Sequence, residues 1–210
     1  MWEDLVALPL PPVDKQDLYC TTTAMIHYGK GIAYAATGRI MDASRQRELF
    51  QTSSSRVPIS RMIYPNKCVD MLAVAQGMLD GELEYRKGNF DVAFAHLKQA
   101  IVCEDALLYS EPPAWTQPVR HALGALSLEQ GMAQEAITVF AADLGLNQDL
   151  PRAKRHPNNV WALHGYRESL ERLGRLVEAE EYSEKLRVAR ASADVEVNAS
   201  CFCWQGANNP

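Results

Sequence analysis

Apolar residues recur along this chain at helical spacing, in paired blocks broken by glycine. The clearest pair runs from Leu123 to Phe140. Leu123, Leu126 and Leu128 lie on one block, Gly131 interrupts, and Ile137, Val139 and Phe140 follow. Apolar side chains returning every three to four residues mark an amphipathic helix. A glycine between two such blocks marks a tight helix–helix turn, since it accepts positive φ. Gly124 and Ala136 stand where two helices can approach only if neither presents bulk, with Ala133 just outside that packed row. The Gly-x4-Ala signature recurs as Gly38–Ala43, Gly88–Ala93, Gly131–Ala136 and Gly174–Ala179, at intervals of 50, 43 and 43 residues. The pattern predicts an all-α chain of about four helix pairs over 18–51, 67–104, 115–144 and 159–191, with no sheet between 20 and 190.

The intervening stretches fill in this layout. Residues 2–9 form a short amphipathic stretch stopped by Pro9, Pro11 and Pro12, because proline cannot continue a helix. It reads as the second helix of a preceding pair whose first helix would lie upstream. Its apolar face would then be buried on the same chain or on a second copy, giving a homo-oligomer. Gln51–Pro58 reads as a polar loop, and the prolines of Glu111–Arg120 open the third pair, being tolerated in a helix's first turn. Leu144–Asn159 is a long connector whose basic run, Arg152–His156, reads as solvated loop. Residues 1–197 thus form one repeat domain, and 198–210 a flexible, exposed tail.

Composition narrows the function classes. Apolar residues at 47% supply a core, and a formal charge of −5 argues against a broad nucleic-acid footprint. No apolar run approaches the roughly 18 residues of a membrane helix, and the start lacks a signal's basic region. Five cysteines, an odd number scattered through helical blocks, read as reduced thiols of a cytoplasmic protein.

The order Leu-Gly, turn glycine, Ala-x3-Phe resembles the tetratricopeptide (TPR) repeat, though the period exceeds its usual length of about 34. More specifically, the chain resembles bacterial and fungal TPR proteins with a Glu-Pro-Pro-x-Trp-x-x-Pro-Val-Arg segment, here Glu111–Arg120. Further matches are His27-Tyr28, Asn158–Ala162 and the Ser-Cys-x-Cys ending. The resemblance implies a right-handed superhelical array, an α-solenoid, and brings no biochemical activity with it. It also implies that the first helix of each pair lines a concave groove. Counting back from each turn glycine, one inward row holds Tyr28, Met78, His121 and His164. A second row holds Ile32, Glu82, Ala125 and Glu168, and a third Met25, Ala75, Pro118 and Trp161.

Two chemistries compete for these positions. His121 and His164 are one repeat apart and Glu82 lies one repeat the other way, a set that suits zinc or copper, with Met78 favouring copper and Cys201 and Cys203 adding thiolates. Such histidines equally serve as hydrogen-bonding contacts for a peptide or as buried polar packing. Tyr28, Tyr85, Trp115 and Trp161 form an aromatic wall around an organic ligand or anchor a peptide, the alternative being that Trp115 and Trp161 pack the repeat seams. Arg86, Arg120 and Arg172 bind a carboxylate or pair with Glu82, Glu129 or Glu168. His27, one position off the groove row, belongs in the first seam. No phosphate loop, nucleophile elbow or His-Glu-x-x-His helix is present. The leading expectation is a binding module whose groove, including Tyr28, Met78, Glu82, Tyr85, His121, Trp161, His164 and Glu168, holds a peptide or small organic ligand. The alternative is a metal-dependent enzyme or small-molecule binder with a closed groove using His121, His164 and Glu82; whether the chain is catalytic stays open.

Overall fold

The computed structural model describes residues 2–201, which divide after Val119 into two compact units. In the first, α1 (Trp2–Ala7) precedes α2 (Cys20–Ala36) and α3 (Ile40–Ser54). A hairpin of β1 (Met62–Ile63) and β2 (Asn66–Lys67) leads into α4 (Cys68–Arg86) and α5 (Phe90–Ala106). Helix α6 (Val119–Glu129) begins at the boundary residue, and the second unit holds the rest of it with α7 (Ala133–Leu144), α8 (Val160–Arg172) and α9 (Leu176–Ala191). The chain is mostly helical, and no helix among the described residues is long and apolar enough to cross a membrane.

Each helix pair turns at one of the four glycines read from the sequence, with φ of 76° at Gly38, 84° at Gly88, 75° at Gly131 and 73° at Gly174. The same backbone closure appears each time. The N–H after the glycine donates to a carbonyl five residues back: Arg39 to Tyr34 at 2.8 Å, Asn89 to Glu84 at 2.9 Å, Met132 to Ser127 at 2.8 Å and Arg175 to Leu170 at 2.9 Å. This satisfies a carbonyl that the helix end leaves unpaired, and it needs a left-handed residue that glycine adopts without strain. The α8 N-terminus is closed by Asn159, whose Oδ1 accepts from the N–H groups of Trp161 and Ala162 at 2.9 and 3.1 Å.

In the first unit α2 packs on α3 and α4, and α4 packs on α5. Cys20, Ala24, Phe50, Leu72, Ala75 and Leu79 form one core cluster, against which Tyr28 and Trp115 rest. His27 sits in the α2–α3 seam as expected, buried, with Nδ1 2.7 Å from Gln46 Oε1. In the second unit Leu128, Ala136, Phe140, Leu144 and Leu163 share a core. Ala133 joins this core and is buried too, so the packed row of α7 is wider than its spacing suggested.

Three expectations need correction. A sheet does occur between residues 20 and 190: β1 and β2 pair antiparallel, Met62 with Lys67 and Ile63 with Asn66. Buried Asn66 ties it to the chain after α5, accepting from Leu108 N–H at 2.7 Å and donating to its carbonyl at 2.9 Å. Strands of two residues are too short to show an alternating pattern. Secondly, α1 forms and lies against α2, but none of its residues is buried. Six residues cannot cover much surface, and Leu8 and Leu10 beyond it are exposed. Thirdly, the chain after α9 is not a free end as far as it is described: Val197, Ser200 and Cys201 are 3%, 0% and 3% exposed.

Candidate functional site

Helix α2 presents Thr21, Met25 and Tyr28 along one face, at the helical spacing of three to four residues. These side chains, with Ile63 of β1, Met71 of α4 and Trp115, line a cavity of about 190 Å³ within the first unit. Trp115 stands edge-on to Tyr28, ring centroids 5.6 Å apart at 69°, a favoured aromatic geometry. None of the lining residues carries a charge. Two polar atoms of the lining residues, Trp115 Nε1 and Thr21 Oγ1, are buried without a hydrogen-bond partner. Indole N–H is a donor only, so the wall lacks an acceptor at that point.

Behind this face the two rows counted from the turn glycines meet. The Tyr28 hydroxyl donates to Met78 Sδ at 3.7 Å, joining equivalent positions of α2 and α4. Burial, and then the charge of Glu82, push the Tyr28 phenol well above its usual range, so it remains a neutral donor. Glu82 is itself buried and accepts from Arg86 Nε at 2.8 Å. Tyr85 is placed elsewhere: it is buried in the α4–α5 seam, with its centroid 5.0 Å from that of Phe90 and 6.2 Å from that of Phe94.

In the second unit the histidines have separate partners. His121 is buried, with Nε2 3.0 Å from Asp143 Oδ2. The other Asp143 oxygen is 2.9 Å from His156 Nδ1, and His156 N–H donates to the Asp143 carbonyl at 2.7 Å. Burial raises the Asp143 carboxyl, but the hydrogen bonds and charges of His121 and His156 outweigh it and hold the group down at about 2. The basic run read as solvated loop is therefore pinned at His156. His164 instead lies beside Glu168, Nδ1 to Oε2 being 3.8 Å, and burial followed by Arg190 and Arg167 lowers the imidazole to about 4. Burial raises the Glu168 carboxyl against the pull of Arg172, its ion-pair partner at 2.6 Å. Trp161, at the start of α8, is half-buried.

The metal reading finds little support in this chemistry. Among the described residues no group of three His, Cys, Asp or Glu side chains is arranged to hold a metal ion. Glu82 is paired with Arg86 and His121 with Asp143. Cys201 is disulfide-bonded, so it is no thiolate, and this also corrects the expectation of fully reduced cysteines. Cys203 lies outside the described residues. Asp143, His156 and Ile63 were missed as site or network members because nothing in their local spacing marks them.

Fold and cavity together define a mostly helical protein with an uncharged aromatic and thioether-lined recess on its first unit. No family model, no curated protein and no solved structure matches the chain.

Proposed function

We propose that this protein is a binding module of the TPR type, its helix pairs stacked as a right-handed solenoid, and that it anchors a partner peptide by one uncharged side chain. The observation that carries the reading is the cavity between Met25, Tyr28, Ile63 and Trp115. At about 190 Å³ it is smaller than the roughly 300–1,000 Å³ of pockets that enclose whole organic ligands. It matches a single large apolar side chain. Aromatic and methionine walls are adaptable and suit such an anchor. Catalysis is the weaker reading, because the lining offers no carboxylate, imidazole or thiol and its one titratable group, Tyr28, is held protonated.

The Trp115 indole N–H is the reporter for a test. Titration with N-acetyl-phenylalaninamide or N-acetyl-leucinamide, followed by 15N-edited NMR, should shift this signal saturably. Some 15 heavy atoms at about 0.3 kcal/mol each place the dissociation constant near millimolar. N-acetyl-glutamate amide should leave the signal in place, and Met25→Trp, which fills the cavity, should abolish the response to both apolar probes. Equal shifts with the charged and apolar probes, or no shift with any, would sink the proposal.

A further inference from the structure

Irregular backbone is seldom buried, because its polar groups then need partners within the protein. The segment after α9 is such a case: it has no regular secondary structure, yet Val197, Ser200 and Cys201 are buried. Its main chain at Asn198 reaches the His164 ring. His164 stands ten residues before Gly174, as Tyr28 stands ten before Gly38. Tyr28 lines an open cavity, whereas its counterpart on α8 is covered by the chain's own segment.

The cover is incomplete in its chemistry. His164 Nδ1 and Glu168 Oε2 are both buried without a hydrogen-bond partner. They are 3.8 Å apart, too far to bond each other but close enough for one bridging group to reach both. The other Glu168 oxygen is taken by Arg172. We propose that His164 and Glu168 form a second ligand site, and that residues 193–201 are its built-in occupant, a seal that an external ligand must displace. The ligand presents an uncharged hydroxyl or primary amide. Arg167 on α8 and Arg190 on α9 act on His164 while Glu168 adjoins it, so the site carries both signs of charge and gives neither an ammonium nor a carboxylate a net attraction to offset its desolvation. This site is independent of the cavity in the first unit, and its failure leaves the peptide reading untouched.

The test uses the full chain with Val197→Asp, which puts a charge at a buried position of the seal, and Val197→Ala as a milder opening. In the wild type, imidazole NMR should show His164 titrating near 4 and resisting diethyl pyrocarbonate. In the opened variants its titration should move towards that of a free histidine, about 6.5, with labelling at least tenfold faster. A synthetic peptide of residues 193–200 added to the opened chain should restore the low titration, and the same peptide carrying Val197→Asp should not. N-acetyl-glutamine amide should shift the His164 signals of the opened chain, and N-acetyl-glutamate amide should not. The proposal is overturned if His164 titrates normally in the wild type, or if the native peptide fails to rebind a folded variant. It also falls if the two amides act alike, or if both variants unfold the second unit, because the segment is then core and not an occupant.

Discussion

Replacing Gly124 with Ala should destabilise the second unit by roughly 2–3 kcal/mol in denaturant unfolding, although alanine is the better helix former by about 1 kcal/mol. A Cβ at Gly124 would lie closer than 3.0 Å to three atoms of the Phe140 ring. Gly165 on α8 faces the same three atoms of that ring, again closer than 3.0 Å. Phe140 is fully buried between the two glycines, so moving away from one Cβ drives the ring towards the other helix. Gly165→Ala should therefore cost a similar amount. Phe140→Leu should be costly alone yet relieve either alanine, so the double variants should fall short of additivity by more than about 0.5 kcal/mol. Gly29→Ala supplies the opposite sign. Its Cβ would meet only Leu5 Cδ2, at an ordinary 3.8 Å, and it should stabilise α2 by about 0.5–1 kcal/mol. Additive costs at Gly124 and Phe140 would show that the ring is not the wedge.

Asp143→Ala should cost about 2–4 kcal/mol at neutral pH, since it removes the carboxylate bound by both His121 and His156 and leaves a buried imidazole nitrogen unpaired. The effect has a definite pH dependence. Asp143 is held at about 2 in the folded protein, against 3.8 for an unperturbed carboxyl. A lowered folded value stabilises at pH above the unfolded value, and the contribution is lost as pH falls through the folded one. At about 1.4 kcal/mol per unit this amounts to roughly 2–3 kcal/mol, present above pH 4 and gone near pH 2. The stability gap between wild type and Asp143→Ala should narrow over that interval in urea titrations. A gap that stays constant from pH 5 to pH 2 would mean that folding does not lower the Asp143 pKa. Because His156 sits 13 residues beyond Asp143, amide exchange in the connector around it should also rise in the variant.

The four turn glycines and the eight paired helices follow from local rules. Positive φ at a helix end selects glycine, and an i, i+4 apolar row selects a buried face, so short windows of sequence carry these features. The same arithmetic fixes Met25 and Tyr28 on one face of α2, but it cannot supply Ile63 and Trp115, which close the cavity from a hairpin and a proline-rich approach. Tyr85 shows the opposite limit: an aromatic assigned to the ligand groove is held in the seam by Phe90 and Phe94. Register says which way a side chain leaves its own helix, but not what waits there. Asp143 meets His121 across 22 residues of sequence and His156 across 13, and Asn198 reaches His164 across 34. These pairings leave no local trace, because they depend on how helices, connector and final segment pack. The sequence by itself therefore determined the helix pairs, their turns and the faces they bury. Tertiary structure decided which polar groups are paired, which recess stays open and which face the chain covers with its own backbone.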